Sequence, residues 1–296
     1  QVGVDGTGHD VKFFGATAGA YMQWDESTDD LILGGGGTLV TTTAGTSNFR
    51  AGVNAGNSIA SGGDQNVVVG DEAGTAISTG DANVAVGYAA LSTASTSNAN
   101  TAVGKDALRL TTGAQNTAVG HSAMELNVNG SFGVAVGDFA LYSQNPASAV
   151  NTYNVAIGKD AGLSVSTGVQ NTLIGGLAGD ALTTGGTNVA VGYQSLSTED
   201  TGRQNVAIGY QALSTQNKDD TNLNTAVGYQ AGLAITTGVS NCIFGGSAGD
   251  ALTTGSFNVA LGRSSLSADT KGGNSVAIGQ SALTAQNLQL LQILST

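Results

Sequence analysis

The sequence predicts an all-β solenoid of about fourteen coils, mostly of 17 residues each. Three observations predict it: a five-residue phrase that recurs along the chain, period-2 alternation inside that phrase, and a composition suited to tight turns around a thin core. The phrase is Asn-x-Ala-(Val/Ile)-Gly or a close variant. It ends at Gly70, Gly87, Gly104, Gly120, Gly137, Gly158, Gly175, Gly192, Gly209, Gly228, Gly245, Gly262 and Gly279, and a degenerate earlier copy ends at Gly52. Repetition at this spacing marks supersecondary units that cannot bury a core alone and must stack.

Each part of the coil follows from its residue types. With the phrase-ending Gly as position zero, positions −3 and −1 are Val, Ile, Thr, Leu, Phe or Cys, and position −2 is Ala in ten of thirteen copies. That alternation predicts a short strand with one bulky and one small face. The bulky face is expected to fill the coil's own core, opposite the Ala and Leu that follow the Gly; Cys242, at a −3 position, is then an inert core residue. Gly at zero permits a sharp turn. The opposite face is expected to form a smooth packing stripe of Ala85, Ala102, Ala118, Ala135, Ala156, Ala190, Ala207, Ala226, Ala260 and Ala277. Asn at −4, present in eleven of thirteen copies, predicts a hydrogen-bonded ladder along the stack. At about 4.8 Å per coil, the rod would be about 65 Å long.

A longer period lies above the coil. Gly158, Gly175, Gly192 and Gly209 map onto Gly228, Gly245, Gly262 and Gly279 with a shift of 70 residues, and Gly179–Gly185 recurs verbatim as Gly249–Gly255. Three domains are expected: a short-strand β module over 1–45, with strands at Val11–Gly15, Ala20–Asp25 and Asp30–Gly34; the repeat domain over 46–284; and an atypical tail over 285–296. The chain opens on Gln1 rather than Met, so it is expected to be a fragment or processed product.

Composition excludes several function classes. Gly occurs 46 times and Pro once, without the every-third-residue Gly of collagen. A net charge of −12 with nine basic residues disfavours nucleic acid and anionic membranes as partners, and no apolar run suggests membrane insertion. One cysteine excludes an internal disulfide framework.

At the phrase itself the chain resembles the YadA-like head of trimeric autotransporter adhesins. Ser275-Val276-Ala277-Ile278-Gly279 reproduces the Ser-Val-Ala-Ile-Gly phrase of those heads, and Asn205–Gly209 and Asn154–Gly158 differ only at the first residue. The resemblance covers about residues 46–284. It implies a left-handed parallel β-roll, with three chains intertwined or side by side around one axis and the Ala stripe facing that axis. Coils here are longer than the family's usual fourteen or so residues. The Asn-rich, longer-coil version is more similar to repeats in marine bacteriophage tail-fibre and structural proteins.

Catalytic chemistry finds little support. His121 stands at +1, where other copies place Tyr, Lys, Asp or Arg, and His9 lies outside the repeats. Hexapeptide acyltransferases repeat their phrase three times per coil; here it occurs once. The pairs Asp71-Glu72, Glu199-Asp200 and Asp219-Asp220 lie beside turns or in inserts, where solvated surface is the ordinary reading, against a solenoid polysaccharide depolymerase. Ice binding wants a regular Thr array, whereas Thr101, Thr117, Thr172 and Thr225 are scattered. No enzymatic activity, metal or cofactor is expected.

The best surface candidate is a stripe of Tyr193-Gln194, Tyr210-Gln211 and Tyr229-Gln230 on three successive coils: stacked rings and amides that stabilise the rod are the favoured reading, and contact with a glycan or receptor is the alternative. The expected function is a homotrimeric fibre segment on a virion, in the manner of a phage tail fibre, meeting a host cell-surface glycan or protein. An autotransporter-type adhesin head on a bacterial surface and a bare structural spacer are the alternatives.

Overall fold

The structure, a computed structural model, describes residues 11–14, 21–25, 30–34 and 43–284. His9 and the expected tail over 285–296 lie outside the described residues. The chain falls into two units that divide between Thr42 and Thr43. In the first, strands Val11–Phe14, Tyr21–Asp25 and Asp30–Gly34 form an antiparallel sheet in chain order.

The second unit is a parallel β-solenoid of about fourteen turns, and no helix occurs among the described residues. Fourteen three-residue strands, from Phe49–Ala51 to Val276–Ile278, stack as one parallel sheet in sequence order. Register is strict: Val189, Ala190 and Val191 pair with Val206, Ala207 and Ile208, and every other rung aligns likewise. The repeat length therefore delivers each residue type onto a column of its own kind.

The turn after each strand explains its glycine. Gly192 has φ +136°, and a β-carbon there would stand 2.4 Å from the carbonyl oxygen of Gly209 in the next coil. Both the left-handed backbone and the close approach of stacked turns forbid a side chain. Two further left-handed residues follow at +2 and +4, such as Gln194 (φ 53°) and Leu196 (φ 52°). They bend the chain so that +3 and +4 point inward. A non-glycine residue in this region costs about 1–2 kcal/mol. Burying the leucine contributes a similar amount or more, so Leu is retained there.

The two faces of the strand are reversed relative to expectation. All ten alanines of the stripe, from Ala85 to Ala277, are buried in the core of the single chain, where Ala123, Leu141, Leu196 and their equivalents face them. They line the lumen of the tube and cannot face a neighbouring chain. The bulky residues at −3 and −1 point outward: Ile157, Ile208, Phe244 and Leu261 are exposed. Cys242 is exposed on the same face rather than buried. The four threonines Thr101, Thr117, Thr172 and Thr225 of the −3 column lie on the same outward face, each half-buried and scattered among valines. The physical reason is lumen width. Positions +3, +4 and +7 already occupy the interior, and only a methyl group fits opposite them.

Among the thirteen regular coils three carry a larger −2 residue, and each is matched by glycine at +4. Leu173 reaches between Gly162 and Gly179, Ile243 between Gly232 and Gly249, and Val68 between Gly56 and Gly74. In these glycine-bearing coils position +7 is apolar and buried: Ile59, Ile77, Val165, Leu182, Ile235 and Leu252. Where +4 is Leu or Met, +7 is small or polar instead, as at Ala94, Thr111, Asn127, Gln144, Glu199 and Gln216. Lumen volume is thus conserved coil by coil.

The asparagine column forms the expected ladder, mainly through the backbone. Each Asn side-chain oxygen accepts the N–H of the Asn one coil on, as in Asn171 to Asn188 (3.0 Å) and Asn188 to Asn205 (3.0 Å). In most of the column the side-chain nitrogen donates to a glycine carbonyl thirteen to fifteen residues on, as from Asn188 to Gly202 (2.9 Å); Asn83 donates to the Ser97 carbonyl instead, and the side-chain nitrogen of Asn205 has no partner among the described residues. The two expanded coils splice this ladder with glutamine: Gln144 accepts from Asn154 and Gln216 from Asn224, both at 2.8 Å. Gln144 stands beside Gly133, the position at which the column lacks its asparagine.

Candidate functional site

Two surfaces stand out once the strand faces are placed. The first is the outward sheet face. Positions −3 and −1 of all fourteen strands include no Asp, Glu, Lys or Arg, and four threonines are its only hydroxyl-bearing residues. Its two columns run the length of the stack. The two-residue period showed that the strand faces differ, but the sign of the difference was not readable from it.

The second is the tyrosine–glutamine column, which the structure brings together as the sequence anticipates. Tyr193, Tyr210 and Tyr229 stack ring on ring, with centroids 5.8 and 5.3 Å apart and interplanar angles of 19° and 8°. Beside them Gln211 donates to Gln194 (3.0 Å) and Gln230 to Gln211 (2.9 Å). All three rings keep an exposed edge, at 48%, 42% and 57%. Their faces, however, are largely spent on one another. Tyr193 also leans over Gly176, whose β-carbon would meet its ring at 3.4 Å.

Charged groups elsewhere form local ion pairs. Arg109 donates to Glu125 from Nε (2.9 Å) and lies 3.7 Å from Asp106. The hydrogen bond to Glu125 pushes the guanidinium above its ordinary value. Burial opposes ionisation of Glu125, yet hydrogen bonds from Ser122 and Arg109 outweigh it and hold the carboxyl below its ordinary value. Together with Glu72, Thr75, Tyr88, Ala89 and Ser92 these residues line a cleft of about 500 Å³. His121 Nδ1 lies 2.9 Å from Asp138 on the surface, against the edge of Phe139.

The acidic pairs weighed for hydrolysis are not brought together as a pair of carboxylates across one cleft. Asp71-Glu72 lies in coil one of the regular stack, whereas Glu199-Asp200 and Asp219-Asp220 belong to the region of the second expanded coil. Glu199 is wholly buried and accepts from the Gly202 N–H and from Asn222 Nδ2, both at 2.8 Å. Burial raises its carboxyl above the ordinary value, as it does for the half-buried Asp180 and Asp250. No group of three metal-ligating side chains occurs among the described residues. Nor is any helix among them long and apolar enough to cross a membrane.

Comparisons with protein-family models, with curated proteins and with solved structures found no match to this chain.

Proposed function

We propose that this chain is a non-enzymatic segment of a homotrimeric virion fibre, in which three solenoids pack their outward strand faces together and present the remaining surface to a host cell. The observation that carries the reading is the uncharged −3/−1 face. Two side-chain columns along a rod of about 65 Å amount to an apolar strip on the order of 600 Å². A strip of that size is at the upper end of what monomeric proteins expose, and close to one partner's share of a standard interface. Its partner must offer a matching apolar strip at the same 4.8 Å rung spacing. A second copy of the chain has one. Three copies about a common axis, as the resemblance to YadA-like heads implies, would bury every strip and leave the tyrosine column, the clefts and the acidic turns to solvent. Trimeric display would also turn weak host contacts into avid ones.

Light scattering on the purified chain tests the assembly. A mass near three times 29.1 kDa is expected for the parent, and a single-chain mass for Ile208→Lys, which places a charge on the outward face of an otherwise unaltered rung. Host-cell binding should fall with the Ile208→Lys assembly. A parent of single-chain mass overturns the reading.

A further inference from the structure

The tyrosine column ends at an unfilled place. Above Tyr229 the next residue at +1 is Gly246, and the one after it is Arg263. Backbone hydrogen bonds fix this order: the Ser247 N–H donates to the Tyr229 carbonyl (2.7 Å) and the Ser264 N–H to the Gly246 carbonyl (2.9 Å). A β-carbon on Gly246 would meet nothing nearer than the Tyr229 carbonyl oxygen at 4.0 Å. The corresponding glycine of the preceding four-coil unit, Gly176, is covered by Tyr193. Only the upper copy is open.

We propose that this slot, floored by the free face of Tyr229 and roofed by Arg263, binds one hexopyranose ring of a host-surface polysaccharide. The proposal rests on the reading of the chain as a host-contacting fibre and names the ligand class that it would contact.

Four features support it. Tyr210 is sandwiched and Tyr193 rests on Gly176, so Tyr229 has the one ring face of the stack left open; it is also the most exposed of the three. The amide ladder ends at the same height: Gln230 donates to Gln211, while its own side-chain oxygen accepts no hydrogen bond among the described residues. Arg263 is exposed and forms no ion pair among the described residues, so its donors are available. Finally, the gap between Tyr229 and Arg263 spans two rungs, about 9.6 Å. That admits one ring in van der Waals contact, ~3.5–4 Å, with a surface on each side.

A pyranose matches this set in chemistry. Its C–H face suits the aromatic floor, and its equatorial hydroxyls suit an amide acceptor at the side and guanidinium donors above. A nucleobase would also stack, but its phosphates would meet a chain of net charge −12.

Saturation-transfer NMR tests the slot, using the methyl glycosides of glucose, galactose, mannose and glucuronic acid at millimolar concentration. At least one is expected to bind the parent, with transfer concentrated on the protons of one ring face. Tyr229→Ala removes the floor and should weaken binding at least tenfold. Gly246→Tyr is the more telling variant. Gly246 lacks a positive φ, and three coils below carry Tyr at the same position. The variant should therefore fold, extend the stack by one ring and abolish binding. If no glycoside binds the parent, or if Gly246→Tyr binds as the parent does, the proposal is overturned. These readouts do not depend on the mass of the chain in solution, so failure of the slot and failure of the fibre reading are told apart.

Discussion

Leu173 and Gly179 occupy one volume between them: a β-carbon on Gly179 would stand 2.8 Å from Leu173 Cδ2. A β-carbon on Gly162, one coil earlier, would stand 2.7 Å from the other methyl group of the same leucine. The lumen of this solenoid is therefore partitioned between −2 and +4, and the partition changes from coil to coil.

Gly179→Ala should destabilise the chain by about 2–4 kcal/mol. Overpacking against Leu173 and Leu182 supplies most of this, and the left-handed backbone (φ +55°) the rest. Leu173→Ala should cost about 2–4 kcal/mol through the cavity it leaves. The double variant should lose at least 1 kcal/mol less than the sum, because each change relieves the other. Urea unfolding of the four proteins checks the cycle; strict additivity would mean that the two residues do not share the space.

Asn188→Ala removes two buried hydrogen bonds at once: its own N–H keeps its bond to Asn171, but the carbonyl of Gly202 and the N–H of Asn205 lose their partners. About 2–4 kcal/mol of stability should disappear. Ser275→Ala, at a ladder position where no asparagine side chain reaches onward, should cost well under half as much. Equal losses would show that the column contributes little beyond the sheet's own backbone pairing.

The repeat, its strand, the turn glycine and the ladder were all legible in the sequence, because each depends on residue type at fixed spacing. The tyrosine–glutamine column was legible for the same reason. What was not legible was which strand face is inside. Val206 and Ile208 were assigned inward on the rule that bulky apolar residues are buried, and that rule presumes water on the other side. Ala207 is buried because Leu213 and Gln216 take the space across from it. A signal was present: Leu173, Ile243 and Val68 at −2 each co-occur with glycine at +4, which only makes sense if −2 and +4 share an interior. Gly246 as an open place was not legible either, since it depends on which way Tyr193 and Tyr229 lean.

Glu199 gives the chain a pH dependence with a definite sign. Burial raises its carboxyl above the ordinary 4.5, so the folded state binds the proton more tightly than the unfolded chain. The stability this contributes is fully present below the unfolded value and is lost as pH rises from about 4.5 through the higher folded value. Glu199→Gln should flatten that slope and leave stability at pH 7 equal or higher. The amide oxygen still accepts from Gly202, and a half-turn of the Asn222 amide, whose nitrogen now donates to Glu199, brings its unpartnered oxygen to the new N–H. Thermal melts between pH 4 and 8 decide it. A parent that gains stability with rising pH across this window, with no change of slope in the variant, would count against a buried neutral carboxyl.

Cys242 supplies a probe of the proposed assembly that leaves the fold alone. It sits at −3 on the exposed face, between Thr225 and Val259 on the neighbouring rungs and beside Phe244 on its own strand. About a three-fold axis parallel to the rod, each rung meets the same rung of its neighbours, so the three copies of Cys242 would come to one height and face the axis. A short bismaleimide should then convert the chain to covalent dimers within the assembly, and a tris-maleimide to covalent trimers, at protein concentrations too low for chance encounters. Ile208→Lys should abolish both products while leaving Cys242 reactive toward a monofunctional maleimide. Two different geometries give different products. An antiparallel pair would bring Cys242 opposite a rung far down the stack and yield no cross-link despite a doubled mass. A solenoid covered by an unrelated partner would yield no cross-link and a single-chain mass after purification. Covalent trimers that persist in the Ile208→Lys variant would place the contact away from the strand face and sink the assignment of that face to assembly.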